Sequence, residues 1–198
     1  CGVVFLLTVA LNKTLREQGY YREKGIEEPD LFSYLDLVAL GTVCDVVPLV
    51  GANRAFVAVG VKVMAKRQNV GLKALCDISG VKTSPSVYHL GYVLGPRINA
   101  GGRVGNSSVS ADLLTTRNPI TADNLATKLN NFNIERKDIE AAVLAEAFEK
   151  VSSEIKPDDN FVFISGHNWH TGVIGIIAGR IKERYNLPTL VATIDENG

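Results

Sequence analysis

Three observations predict an α/β protein in which helices predominate. A short β-prone run at 161–165 passes through a glycine-rich turn into residues 174–185, whose apolar positions fall at helical spacing, and then into a second β-prone run at 189–194. That order reads as a βαβ unit. Upstream of it, apolar residues recur at helical spacing over most of the chain. The third observation is bulk: 198 residues, 46% hydrophobic and 21% charged, can bury a core in one large or two small domains.

Taken in order, residues 2–18 are apolar at 3, 4, 6, 7, 10, 11 and 15 and read as a helix, and the polar stretch 19–30, with Gly25 and Pro29, reads as a loop. Residues 31–40 give a short helix, followed by the apolar stretch 41–49, which one carboxylate, Asp45, interrupts and Pro48 closes. Residues 52–67 predict a helix of about four turns capped by Asn53, a plausible connector between domains. Further helices are expected at 70–78 and from Ser86 up to Gly95-Pro96. The segment 95–105 carries Arg97, Asn99 and Arg103 among four glycines and a proline, a composition poor for packing and good for presenting backbone and guanidinium groups. Residues 107–115 and 121–155 read as helices, the second capped near Thr121 and broken near Asn130-Asn131; a loop at 157–160 leads into the βαβ unit, whose helix ends at Asn186-Leu-Pro188.

The formal net charge is zero, with 21 basic and 21 acidic residues, but it is unevenly spread. Between Asp45 and Asp112 the single acidic residue is Asp77, against eight lysines and arginines, while acids crowd into 135–159. Such a pattern can create a positive face on a neutral protein. Three widely spaced cysteines suggest neither a disulfide framework nor a zinc site and fit reduced thiols in a cytoplasmic protein. No apolar run reaches the roughly 18 residues that cross a membrane. The chain opens on Cys1 inside an apolar run and stops in a turn after a strand, so the expectation is an internal piece of a longer protein.

Three groups of residues are candidates for chemistry. Asp45, among apolar neighbours, must be capped, paired or bound to a metal. Arg97, Asn99 and Arg103 could grip phosphate, with arginine offering bidentate geometry; the alternative is a structural turn. In the turn 166–172 the helix start favours an anion, and His170 beside Gly172 is placed to donate to a phosphate or to act as an acid–base group; the alternative is a histidine bonded to backbone. His167 and His170 lack a third ligand for zinc, Trp169 reads as core, and no Gly-Lys-Ser/Thr follows the glycines, so the turn is not a Walker loop.

Three stretches together carry a resemblance. Leu35-Asp-Leu-Val-Ala-Leu-Gly-Thr-Val-Cys-Asp-Val-Val-Pro-Leu49, Gly95-Pro-Arg-Ile-Asn-Ala-Gly-Gly-Arg103 and Trp169-His-Thr-Gly-Val-Ile-Gly-Ile-Ile-Ala-Gly-Arg180 resemble, in order and spacing, successive motifs of the RecJ family, the single-strand-specific 5′→3′ exonucleases of the DHH phosphoesterase superfamily. The resemblance covers nearly the whole chain. It implies that residues 1–51 are the C-terminal end of a DHH catalytic domain, 52–68 a connecting helix, and 69–198 most of a DHH-associated, substrate-binding domain. It implies a pair of Mn²⁺ or Mg²⁺ ions, held by aspartates and histidines, that activates water for attack on a phosphodiester, with Asp45 as the late metal-binding aspartate. It implies that Arg97, Asn99, Arg103, His170, Gly172 and Arg180 belong to segments facing an interdomain cleft that holds the nucleic-acid backbone and the 5′ end.

The departures are Gly101 for an alanine, Thr171 for a proline and Cys44 for an alanine or serine; none removes a charge or a ligand. The family's Asp-His-His triplet, earlier aspartates and late Gly-Gly-His segment are not among these residues, so no complete catalytic set is expected here and the chain alone is expected to be inactive. The implied role is single-stranded-DNA hydrolysis in repair and recombination, with a single-strand-binding protein and a helicase as partners and no membrane. Two alternatives stay open: a DHH phosphodiesterase acting on short oligonucleotides or cyclic dinucleotides, and a non-catalytic nucleic-acid-binding module.

Overall fold

The computed structural model describes residues 1–156 and 158–196. Pro157 of the expected 157–160 loop, and Asn197 and Gly198 of the expected terminal turn, lie outside the described residues. The fold is α/β, with helices predominating and a small parallel sheet. Among the described residues no helix is long and apolar enough to cross a membrane. The chain divides into two compact units, Cys1–Ile98 with Ser110–Lys128, and Asn99–Val109 with Leu129–Gly198.

The first unit opens with α1 (Gly2–Glu17), which leaves Val3, Val4 and Leu7 exposed. The loop expected at 19–30 instead holds a short helix, α2 (Tyr20–Lys24), because glycines in the left-handed conformation at 19 and 25 start and stop it. A 3₁₀ turn (Leu31–Tyr34) follows, its first N–H groups met by Asp30 Oδ1, which accepts from the Phe32 N–H at 3.0 Å. It runs into α3 (Leu35–Cys44), which buries Leu35, Val38, Ala39 and Leu40. This helix runs four residues past the expected end at 40, and Asp45 is its C-cap.

Helix α4 (Gly51–Ala65) crosses α3 at Gly60, where a Cβ would lie 2.1 Å from the Leu35 carbonyl oxygen. Asn53 does not cap it: the cap position is Val50, and the Asn53 amide donates to the Pro48 carbonyl at 3.2 Å. Asn69 Oδ1 caps α5 (Val70–Ile78) by accepting from Leu72 N–H at 2.9 Å. Arg67, just before α5, is spent on Asp77 and the Val81 carbonyl.

The main correction concerns 86–105. Gly95-Pro96 does not end a helix. A π-helix (His89–Leu94) continues directly into α6 (Gly95–Val104), and α7 (Ser108–Thr115) follows. Pro96 stands at the junction of the two helical types, where a proline forgoes one backbone hydrogen bond and the chain stays helical across it. Tertiary burial then outweighs the weak helix propensity of the glycines: Ala100 is fully buried.

A second correction is α8 (Pro119–Glu154), one unbroken helix of 36 residues. Its first turn is capped by Asn118 Oδ1, which accepts from Thr121 N–H at 3.1 Å, so the cap lies three residues ahead of Thr121. Leu129 and Asn133 are buried on either side of Asn130-Asn131. The Asn133 amide oxygen accepts from Arg136 at 3.2 Å, so a buried polar group is satisfied within the helix and no break is needed.

The second unit contains the βαβ element: β1 (Val162–His167), α9 (Thr171–Tyr185) and β2 (Thr189–Ile194). The strands pair in parallel, from Val162 opposite Thr189 to His167 opposite Ile194. Its core joins Val143, Ala147 and Val151 of α8 to Val162 and Ile164 of β1, Trp169, and Val173, Ile177 and Ile181 of α9. Helix α9 ends where expected, because Asn186 takes the left-handed conformation and donates its N–H to the Lys182 carbonyl at 2.9 Å.

Candidate functional site

In the first unit, Asp45 is exposed rather than buried among its apolar neighbours. Its side chain lies in solvent, so the cost of burying a charge does not arise there. No hydrogen bond or ion pair to another described residue engages its carboxylate. It therefore presents hard oxygen donors of the kind that Mg²⁺ and Mn²⁺ take. The next residue, Val46, has φ 54° and is 85% exposed, a rare conformation for a β-branched side chain. On the other side Cys44 is partly buried. Burial, and then the Asp45 charge, pushes its thiol up to about 11, so it is a packed thiol and not a metal-binding thiolate. Its sulfur sits where Gly95 has no Cβ: one would come within 2.7 Å. That close approach docks the end of α3 on the π-helix.

Arg97, in the same unit, is half-buried, and its Nη1 donates to the Val93 carbonyl at 2.7 Å, so part of its guanidinium is committed to its own helix. Burial lowers its pKa from the ordinary value.

In the second unit the structure brings three predicted residues together. His170 is the N-cap of α9, and its Nδ1 accepts from Gly172 N–H at 3.0 Å. An accepting ring nitrogen carries no proton, so the neutral ring keeps its hydrogen on Nε2. Arg103 Nη1 donates to the Gly172 carbonyl at 3.0 Å, and a Cβ on Gly172 would stand 2.1 Å from the Arg103 carbonyl oxygen. Only glycine allows that approach. Asn99, exposed, lies four residues before Arg103 and so shares its helix face.

The helix start is less open than expected, because His170 occupies the Gly172 N–H and the His170 carbonyl accepts from Val173 N–H. Donors for an anion here come from side chains: the remaining Arg103 N–H groups and His170 Nε2–H. Arg180 is nine residues into α9 from Thr171, about 13 Å along the axis, and pairs with Glu183 at 3.8 Å.

The turn itself is held by Trp169. It is 3% exposed, as core, and donates Nε1–H to Glu146 Oε2 at 2.9 Å. That bond is the main reason the Glu146 carboxyl lies below its usual range. Gly166 is required beneath the ring, where a Cβ would meet Trp169 Cε2 at 2.0 Å. His167 ends β1 and is exposed. Among the described residues no group of three or more His, Cys, Asp or Glu could hold a metal ion, so Asp45 fits one ligand of a centre and not a whole centre.

Sequence reading passed over two features. Asp36, 3% exposed in α3, has its carboxyl raised by burial despite accepting from Leu37 N–H at 2.7 Å. Tyr88 and Tyr92 stack on one another at the surface; their i,i+4 spacing on a helical segment was the available signal.

An exposed carboxylate at one helix end, and a guanidinium with an imidazole N–H over another, are groups with which a phosphoesterase holds metal and phosphate. The comparisons with known proteins name the family. The chain is 40% identical over 194 residues to the single-stranded-DNA-specific exonuclease RecJ of Dickeya dadantii, covering 96% of this chain and 34% of that protein. It is 42% identical over 196 residues to RecJ of Salmonella typhimurium, with the same coverage of each. The crystal structure of RecJ in complex with Mn²⁺ from Thermus thermophilus superposes with a TM-score of 0.75 at 31% identity, over 87% of this chain and 26% of that one. No protein-family model matches the chain. The chain belongs to the RecJ family, and it spans about a third of the length of the curated relatives it matches.

Proposed function

We propose that this chain supplies one metal ligand and part of the DNA grip of a metal-dependent 5′→3′ exonuclease that hydrolyses phosphodiester bonds in single-stranded DNA, in repair and recombination. The observation that carries this reading is the 40% identity across 96% of the chain to a single-stranded-DNA-specific exonuclease. Residues 1–51 are then the end of the catalytic domain, 52–68 the connecting helix and 69–198 the DHH-associated domain. The protein acts in the cytoplasm, with single-stranded DNA as substrate and a single-strand-binding protein and a helicase as partners.

The structures of RecJ relatives were solved with Mn²⁺ or Mg²⁺. Such a pair supplies an activated water and neutralises charge on the reacting phosphate. Asp45 is the ligand proposed for this chain, exposed and without a hydrogen-bond or ion-pair partner for its carboxylate among the described residues. Arg103 and His170 Nε2–H donate to a backbone phosphate, and Gly172 fixes the spacing between them. Asn99 and Arg180 add contacts from the second unit, and Arg97 adds one from the first.

The test uses the complete protein with a 5′-labelled single-stranded oligonucleotide. Asp45→Ala abolishes Mn²⁺-dependent cleavage and leaves binding in EDTA unchanged; loss of binding instead would assign Asp45 a structural role. Arg103→Ala weakens binding of all sequences alike and lowers the slope of log affinity against log salt by about 1. The 198-residue chain alone does not cut; Mn²⁺-dependent nuclease activity from it would overturn the assignment of a single ligand.

A further inference from the structure

The surface beside Asp45 carries a second feature that phosphate chemistry does not use. Tyr88 and Tyr92 are 64% and 74% exposed, and their rings stack with centroids 5.1 Å apart and planes 28° apart. Aromatic side chains this exposed leave a large apolar area in water. Here the two rings, with Val43, Val46, Val47 and Leu49, line a groove of about 490 Å³. Asp45 lies in sequence between Cys44 and Val46, both of which line it.

The backbone is shaped to produce this arrangement. Tyr92 lies in the π-helix His89–Leu94 and Tyr88 is its N-cap; single π turns recur at functional sites. Glycines at 91 and 95 open a notch on the same segment: a Cβ at 91 would touch Val43 Cγ1 at 3.4 Å, and one at 95 would strike Cys44 Sγ. The end of α3 settles into that notch, which sets Val43 to Val46 alongside the tyrosines. Tyr88 is further braced by His89, edge-on at 5.9 Å, whose Nδ1 accepts from Ser86 N–H. Val46 is held outward in a left-handed conformation that costs energy, and strained residues of this kind cluster at functional sites.

A flat, exposed, aromatic and uncharged shelf beside a carboxylate suits a nucleobase better than a phosphate. Base–aromatic stacking is tolerant of sequence, because every base has a π face. We propose that the Tyr88–Tyr92 pair, with Val46 at its edge, is a stacking platform for a base of the single strand, positioning the strand beside Asp45. The assignment rests on the nucleic-acid reading above.

The experiment compares two probes on the full chain by fluorescence anisotropy: a labelled oligo(dT), and an oligonucleotide of equal length and charge with abasic sugars. The wild-type chain binds oligo(dT) roughly 10- to 100-fold more tightly than the abasic strand, the range expected for one base–aromatic stack. Tyr88→Ala/Tyr92→Ala removes that preference and leaves the salt dependence unchanged, since no phosphate contact is lost. Tyr88→Phe/Tyr92→Phe retains it. Equal affinity of the wild-type chain for both probes overturns the platform without touching the phosphate grip, and that arm needs no variant to fold. A preference that survives the double alanine change also overturns it. A chain that binds neither probe at low salt overturns the platform and the nucleic-acid reading together.

Discussion

The end of α3 and the start of α9 carry the two kinds of chemistry proposed for this chain, and they are built in opposite ways. At α9 the functional groups are held from beneath. Trp169 is buried, Gly166 lies flat under its ring, Gly172 meets the Arg103 backbone, and His170 is locked by its bond to Gly172 N–H. At α3 the groups are displayed instead. Asp45 is unengaged, Val46 points into solvent from a strained backbone, and two tyrosines lie open. The difference fits the role proposed for each. In the proposed roles, donors to a phosphate lose little by being fixed to backbone, whereas a metal ligand needs at least one carboxylate oxygen open to the ion.

The contrast is most exposed to test at Trp169. Replacing it by alanine removes the largest side chain of the second unit's core and the Glu146 bond. Trp169→Ala should cost about 3–5 kcal/mol in denaturant unfolding. A cost as small as that of a surface change would mean the α9 start is not held from beneath.

Gly166→Ala is the next largest effect. Its new Cβ has no room against Trp169, and overpacking of this kind costs about 1–3 kcal/mol. The companion change at the other region is Gly91→Ala, whose Cβ makes only a 3.4 Å contact with Val43. Helix propensity then favours alanine by up to about 1 kcal/mol, so that variant should unfold no more easily than wild type. Similar costs at the two glycines would erase the distinction.

Val46→Asn probes the displayed region directly. The left-handed conformation costs an L-residue about 1–2 kcal/mol and asparagine least, while the valine side chain gives up little packing at its exposure. The variant should raise the unfolding midpoint. A lowered midpoint would show that Val46 packs against something that holds it.

These tests also show what could be read from the residues alone. The βαβ unit was legible because its strands and helix keep their periods and because Asn186 stops α9 through a local conformation that needs no tertiary partner. Trp169 was legible as core. The segment 95–105 was not: its glycines were read by propensity, but they serve as close-packing points, Gly95 against Cys44 at the start of α6 and Gly105 against Phe132 just past its end. The helix over 119–154 was legible except for its continuity: its length suggested a break near Asn130-Asn131, whereas Leu129 and Asn133 are buried on either side and Asn133 is satisfied by Arg136 within the helix. Asp45 was singled out by a family motif, while the energetic reason first attached to it, a carboxylate among apolar neighbours, fails because its side chain is exposed to solvent.

The smallest effect tests the bond that ties Trp169 to α8. The Trp169 N–H, and secondarily Lys150 at 3.2 Å, hold the Glu146 carboxyl below its usual range. A depressed carboxylate contributes stability that is complete above the unfolded value, about 4.3, and is lost as pH falls through the folded value. Glu146 is half exposed, so solvent screening reduces its contribution to a few tenths of a kcal/mol. Glu146→Gln keeps an oxygen to accept from Trp169 and removes the titration. Its unfolding midpoint should lie slightly below wild type at neutral pH and converge with it below about pH 4. A gap that persists unchanged into acid would mean that shape, and not charge, is what Glu146 gives to the α9 start.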